Sequence, residues 1–390
     1  MRISQRLQQL APSATMAVSA KAMDLKSQGR EVLSLSVGEP DFDTPVHVRD
    51  AAKAAMDEGF TRYTQAPGIP ELRKAVAGYF HRFYGVTAPM EATIVTNGGK
   101  HALYNLFQCL LEPGDEVLIP APYWVSYPAM VQLAGGEPVI VPTSAENGFK
   151  LLIRDLELAI TPKTRILILN SPSNPTGSHY TQEELDALAS FAMDKGIFLI
   201  SDEIYDQLVY PPAAPATLSR WWERYPEQTA VVNGLAKSFC MTGWRVGYLL
   251  AHPDLVKAMG KLQGHSTSNI CSIAQKAALA ALVGSWEPVE KMRAVFARRR
   301  DLAMDLVSEW PDVVCPRPDG AFYIFPDVSA YFTNDCPDSS TLCTRILEET
   351  GVALVPGAAF GDDRCVRVSY AVNEEALIRA MEKTAQILKR

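Results

Sequence analysis

Apolar positions along the chain follow two periods. From residue 91 onward, short apolar runs at 93–96, 116–119, 138–142, 165–170, 197–201, 229–232 and 246–251 alternate with stretches of helical spacing. Seven such runs predict an α/β fold: a mostly parallel seven-stranded sheet with helices on both faces. Ligands on a sheet of this kind bind at the carboxyl ends of its strands. Upstream, 15–29 has helical spacing and 31–37 has the character of a strand. Pro45 after Thr44, with Gly59 beyond, predicts a helix capped by Thr44 with Pro45 at its first position. Downstream, a long helix over 288–310 precedes strands at 320–325, 352–356 and 365–370 and helices at 339–349 and 373–388. These read as a smaller α/β unit. The division expected is an N-terminal arm over 1–15, a small domain from 16–45 and 288–390, and a large domain over 46–287.

Composition narrows the function classes. At 390 residues the chain is too long for one ordinary core, and 47% hydrophobic with 21% charged residues is an ordinary globular balance. A net charge of -7 leaves no electrostatic footprint for nucleic acid. The basic run Arg298, Arg299, Arg300 lies in a helical stretch and reads as a solvated face or a set of ion pairs. Seven scattered cysteines give neither a disulfide framework nor a metal-ligand spacing, which fits a reducing cytoplasm. No apolar run has signal-peptide or membrane-spanning length, so no membrane partner is expected.

Four places carry candidate chemistry. Lys237 sits in a small-residue turn between two apolar strands, where partial desolvation lowers an amine pKa toward the nucleophilic form. Arg245 follows between Gly243 and Gly247, and a guanidinium fork suits a phosphate. Gly98-Gly99-Lys100 opens a helix after a strand, so bare amides face an anion. Asn170-Ser-Pro-Ser-Asn174-Pro-Thr-Gly177 fixes the Asn174 amide just past a strand. Asp202 ends the apolar run 197–201, where an unpaired carboxylate is costly, and a pyridinium nitrogen would supply its cation; Tyr205 lies one turn on. Each has a plainer reading: a surface lysine with a salt-bridged arginine, a tight turn, an Asn-Pro loop, a helix cap.

Taken jointly, these segments resemble the fold type I pyridoxal-phosphate aminotransferases, in order and approximate spacing, from about residue 12 to the C-terminus. Arg367-Val-Ser-Tyr near the end belongs to the same pattern, and Pro12-Ser-Ala-Thr-Met-Ala-Val, Gly-Glu-Pro-Asp-Phe-Asp-Thr-Pro, Gly-Gly-Lys-His-Ala-Leu, Pro-Tyr-Trp-Val-Ser-Tyr-Pro and Met-Thr-Gly-Trp-Arg look especially like the I-beta subgroup of aspartate aminotransferases. One departure is that Gly234 and Ala236 stand where many members have serines, leaving more of the phosphate to backbone amides. The resemblance implies pyridoxal 5'-phosphate as cofactor, with Lys237 as Schiff-base lysine and general acid/base and Asp202 as partner of the ring nitrogen. It makes Asn174 and Tyr205 partners of the phenolic oxygen and stacks Trp124 on the ring. Gly99, Lys100 and Arg245 would hold the phosphate, with Tyr63 reaching it from the neighbouring subunit of a homodimer. Arg367 would grip the substrate α-carboxylate under Gly38. The stretch 261–276, where I-alpha relatives carry an arginine for the distal carboxylate, has none here. That role falls to Lys100, with Thr15 and Ser268 as neutral helpers. The activity implied is ping-pong transfer of an amino group between aspartate, or another dicarboxylic amino acid, and 2-oxoglutarate. Prephenate or aromatic substrates are the alternative. A carbon-sulfur lyase and a non-catalytic regulator with this body are the rivals.

Overall fold

The computed structural model describes residues 1–8, 10 and 14–389, with residues 5, 6, 14–17 and 19 described by backbone alone. The seven expected runs form one sheet, in the spatial order Thr93–Thr96, Gly247–Leu250, Thr229–Gly234, Phe198–Asp202, Thr164–Asn170, Glu116–Ala121, Glu137–Pro142. Gly247–Leu250 runs antiparallel to both neighbours, and the other pairings are parallel. Side chains alternate between two faces. Ile94, Ile168, Ile200, Val232 and Leu249 enter one core cluster. Val95, Val231 and Leu250 enter a second, while Leu167, Leu169 and Leu199 enter a third. Both faces are buried except along the edge strand Glu137–Pro142, so the inner strands read as continuous apolar runs. Truncating one such side chain, Ile200→Ala for instance, costs about 2 to 5 kcal/mol.

Parallel pairing has a direct consequence for chemistry. It brings the carboxyl ends of the strands to one edge, where Asn170 is paired with Asp202 and Gly234 and Thr96 are both paired with Gly247. The segments that leave this edge carry Lys100, Trp124, Asn174, Tyr205 and Lys237, and Arg245 enters it.

Outside the sheet the strands are shorter than expected. The run 31–37 narrows to Leu33–Ser34, parallel to Val352–Ala353, because that partner is itself two residues long. The run 352–356 divides at Leu354, and Val355–Pro356 pairs antiparallel with Val366–Ser369, which also pairs with Tyr323–Ile324. Pro45 is the cap rather than the first residue of the helix Val46–Asp57, with extended φ −53° and ψ 146°. Thr44 makes no cap. Its hydroxyl donates to the Cys240 carbonyl at 2.7 Å and accepts from Trp244 Nε1 at 3.0 Å. The helix Pro70–Tyr84 was not anticipated, although Pro70 at its start and the left-handed Gly85 at its end are ordinary boundary signals.

The helix Glu287–Ser308 contributes side chains to two core clusters. Val289 packs into a core cluster of the large sheet, whereas Met292, Phe296 and Ala303 pack with Phe322, Ile346 and Met381. Its basic run is a set of ion pairs: Arg298 with Glu374 at 3.8 Å, Arg299 with Asp41 at 2.7 Å, Arg300 with Asp301 at 2.8 Å. Only Arg298 is well exposed.

Candidate active site

At the carboxyl edge of the sheet lies a cavity of about 650 Å³ whose lining includes Gly38, Gly99, Lys100, Trp124, Asn174, Asp202, Tyr205, Lys237, Arg245 and Arg367. Ten of the thirteen residues singled out from the sequence therefore meet in one place. Tyr63 and Ser268 do not line it. Tyr63 is 91% exposed, and Ser268 adopts a left-handed φ of 58° at the end of the helix Pro253–Ser266. Thr15 lies in the helix Ala14–Ser27, and its side chain is outside the described residues.

Lys237 follows the strand Thr229–Gly234, and its amine donates to the Gly38 carbonyl and lies 5.7 Å from the ring centres of Tyr205 and Phe322. Burial among these groups pushes its pKa down to about 8, with Arg367 and Arg245 adding repulsion and Glu39 opposing it. About a tenth of such an amine is unprotonated at pH 7, several hundred times more than for an ordinary lysine. The lysine turn is tightly packed: a side chain at Gly234 would begin 3.0 Å from Ile204 Cδ1 and from the Val246 carbonyl. That packing accounts for glycine where a serine is common.

Asp202 is buried, and burial raises its pKa to about 6. The Tyr127 hydroxyl donates to its Oδ2 at 2.6 Å and the Ile204 amide to its Oδ1 at 3.3 Å, both opposing the rise. No ion pair among the described residues includes Asp202. A cation seated against it in the cavity would bring its pKa down again. The turn after it is anchored by two further buried carboxylates. Glu203 accepts from Ser201, Thr217 and the Leu218 amide, each at 2.8 Å. Asp206 accepts from Tyr79 and from Tyr84, the latter at 2.5 Å.

Arg367 enters from the strand Val366–Ser369 and is 3% exposed. It donates through Nη1 to Asn174 Oδ1 at 2.9 Å and through Nη2 to the Ser36 carbonyl at 2.7 Å, while its Nε has no partner. Its guanidinium lies 4.6 Å from the Tyr323 ring centre. Among the described residues no carboxylate pairs with it. Asn174 is held in turn by Asn170, whose Oδ1 accepts the Asn174 amide at 2.9 Å. With its oxygen engaged by Arg367, Asn174 has its side-chain NH₂ left to offer a ligand.

The helix Gly99–Leu110 begins on Gly98, φ 86°, with no side chain capping its first amides. A side chain at Gly98 would overlap the Arg245 guanidinium, so glycine is required for that arginine to lie over the helix N-terminus. Arg245, itself at φ 58°, donates to the Thr242 carbonyl at 2.9 Å and the Asn97 carbonyl at 3.3 Å and has no carboxylate partner among the described residues. Lys100 is an exposed residue whose ammonium lies 4.9 Å from the Trp124 ring centre. The protein around that ammonium lowers its pKa, and Arg245 lowers it further.

These groups fit the phosphorylated pyridine aldehyde implied by the sequence. An amine with a lowered pKa, a buried carboxylate without a cation, and a bare helix N-terminus under an arginine all face one cavity. Tyr127, Tyr323 and the Ser36 and Gly38 carbonyls were missed. Tyr127 follows Trp124 by three residues, a spacing that puts both on one side of a helical turn, and this was the available signal. Among the described residues there is no cluster able to hold a metal ion, and no helix is long and apolar enough to cross a membrane.

The family model for aminotransferase class I and II matches residues 30–383. An aspartate aminotransferase of Geobacillus stearothermophilus is 46% identical over 390 residues, spanning 100% of this chain and 99% of the relative. An aspartate/prephenate aminotransferase of Cereibacter sphaeroides is 47% identical, spanning 97% of this chain and 96% of the relative. The solved structure of Thermus thermophilus aspartate aminotransferase with maleate superimposes with a TM-score of 0.94 at 46% identity, over 99% of this chain and 100% of that one.

Proposed function

Because the chain belongs to the class I and II aminotransferases, fold type I enzymes that use pyridoxal 5'-phosphate, we propose that it moves an amino group between aspartate, or another dicarboxylic amino acid, and 2-oxoglutarate. The observation that carries this reading is that, with Arg245 set aside for the phosphate, two further cations without carboxylate partners among the described residues, Arg367 and Lys100, face the cavity that also holds Lys237. Two carboxylates, one on each side of an amine, are what such a pair accommodates.

The cofactor supplies an aldehyde that condenses with amines and a ring that accepts electron density. Everything else is done by the chain. Lys237, with its pKa near 8, would serve as the nucleophilic amine and then carry the proton from the substrate α-carbon to the cofactor's aldehyde carbon. Asp202, with the Tyr127 donor behind it, would hold the proton on the ring nitrogen. Asn174 and Tyr205 would donate to the phenolic oxygen, and Trp124 would cover the ring. The amides of Gly99 and Lys100, with Arg245, would bind the phosphate. Arg367 takes the α-carboxylate beneath Gly38, and Lys100 takes the distal one, with Thr15 and Ser268 assisting.

The exposed ring of Tyr63 favours a homodimer in which Tyr63 and Ser268 complete the neighbouring copy's cavity. The division into an arm over 1–15, a small domain from 16–45 and 288–390, and a large domain over 46–287 is supported by the change of core along the helix Glu287–Ser308. All seven cysteines are free, which favours a cytoplasmic enzyme. The relatives named for prephenate support a second reading in which the distal site also accepts that bulkier dicarboxylate. The test is a steady-state panel of amino donors and oxo acceptors, prephenate included. Parallel double-reciprocal lines with aspartate and 2-oxoglutarate are expected, and keto acid released without any acceptor beyond one equivalent per site would instead indicate a lyase.

A further inference from the structure

Tyr323 has no part in the roles above, yet it touches three of the residues that carry them. It is completely buried on the short strand Tyr323–Ile324, where it is paired with Ser369, two residues from Arg367. Its ring lies under the Arg367 guanidinium at 4.6 Å, and its hydroxyl is 2.9 Å from that of Tyr205. A side chain at Gly38 would begin 3.1 Å from the same hydroxyl oxygen. The residue thus stands between the carboxylate end of the cavity and the partner of the phenolic oxygen.

Each of the two hydroxyls has one proton and two acceptor positions. When the Tyr205 hydroxyl donates its hydrogen bond to the phenolic oxygen, the Tyr205 oxygen is left as an acceptor for Tyr323. Donors in series polarise one another, and this strengthens the outer bond. We propose that Tyr323 is a positioning residue that donates to Tyr205, aims the Tyr205 hydroxyl at the phenolic oxygen and seats Arg367 on its ring. This links the cofactor end of the site to the carboxylate end. It rests on the reading of Tyr205, Lys237 and Arg367 given above. Simple packing would make a different demand, since phenylalanine fills the same space without the donor.

The experiment titrates the visible band of the lysine-bound cofactor against pH in the holoenzyme. Tyr323→Phe leaves the ring under Arg367 but removes the second donor, so the phenolate is less stabilised and the neighbouring nitrogen keeps its proton to higher pH. The midpoint is expected to rise by about half a pH unit. Tyr205→Phe raises it further, and adding Tyr323→Phe to that variant changes nothing more. Maleate, a dicarboxylate without an amino group to transfer, binds Tyr323→Phe within about twofold of the parent and Tyr323→Leu several-fold more weakly, because only leucine removes the ring under the guanidinium. An unmoved midpoint in Tyr323→Phe, or the same shift with and without the Tyr205 hydroxyl, overturns the proposal. A parent protein with no visible band when loaded overturns the Lys237 reading itself, and this one with it.

Discussion

Arg367 and Lys100 face the same cavity and are built in opposite ways. Arg367 is buried, its two terminal nitrogens fixed by the Asn174 side chain and the Ser36 carbonyl and its plane set by Tyr323. Lys100 is exposed, and its ammonium rests against the face of Trp124. Removing a guanidinium from water without a counter-charge is unfavourable, and its neutral partners recover only part of that cost. An incoming carboxylate would complete the pairing in a fixed geometry. The Lys100 ammonium is only partly desolvated and no hydrogen bond among the described residues fixes its direction, so it contributes less and discriminates less. The fixed end suits the group common to all amino acids, and the loose end suits the part that differs between them.

The largest expected effect is at the fixed end. Arg367→Ala should cost on the order of 3 to 5 kcal/mol in kcat/KM for every amino donor, charged or not. Arg367→Lys should recover only part, since an ammonium cannot form the planar fork. An effect confined to dicarboxylic donors would exchange the roles of the two ends. Between the ends, Asp202→Asn should still bind cofactor yet lower kcat about a hundredfold or more, as expected when a charge aimed at the reacting system is removed. An unchanged turnover would take Asp202 out of the chemistry.

At the loose end, Lys100→Ala should raise KM for aspartate and 2-oxoglutarate by about 1.5 to 3 kcal/mol of lost charged hydrogen bonding, while an uncharged donor changes little. Equal losses for both kinds of donor would leave Lys100 with its backbone amide alone. The smallest expected effect is a pH shift. In cofactor-free protein the Lys237 amine is the nucleophile, so the rate of cofactor uptake should rise as the proton leaves, with a midpoint near 8. A rate still rising toward pH 10.5 would mean that the lysine is not desolvated in the cavity.

Much of this arrangement was legible before any coordinates. Asp202 and Lys237 follow apolar runs at the carboxyl edge of a parallel sheet, and that topology makes distant strand ends neighbours. Gly98-Gly99 signalled a bare helix start, and the structure adds why the first glycine is needed, since Arg245 occupies the space of its side chain. What could not be read was contact between segments without periodic signatures. The Ser36 and Gly38 carbonyls belong to an irregular stretch that leaves the short strand Leu33–Ser34 and crosses to Arg367 and Lys237. Tyr323 looks like one more apolar position in a buried strand until its hydroxyl is found beside Tyr205. The strand expected at 31–37 failed for a related reason: its residues turn from pairing with Val352–Ala353 to holding Arg367.

The most direct measurement is reduction of the loaded enzyme with borohydride, followed by mass mapping of the modified peptide. The expected result is a single pyridoxyl adduct on Lys237, absent from Lys237→Ala, which also loses its visible band and its turnover. A reducible adduct on another lysine, with turnover preserved in Lys237→Ala, would contradict the assignment on which the whole cavity has been read.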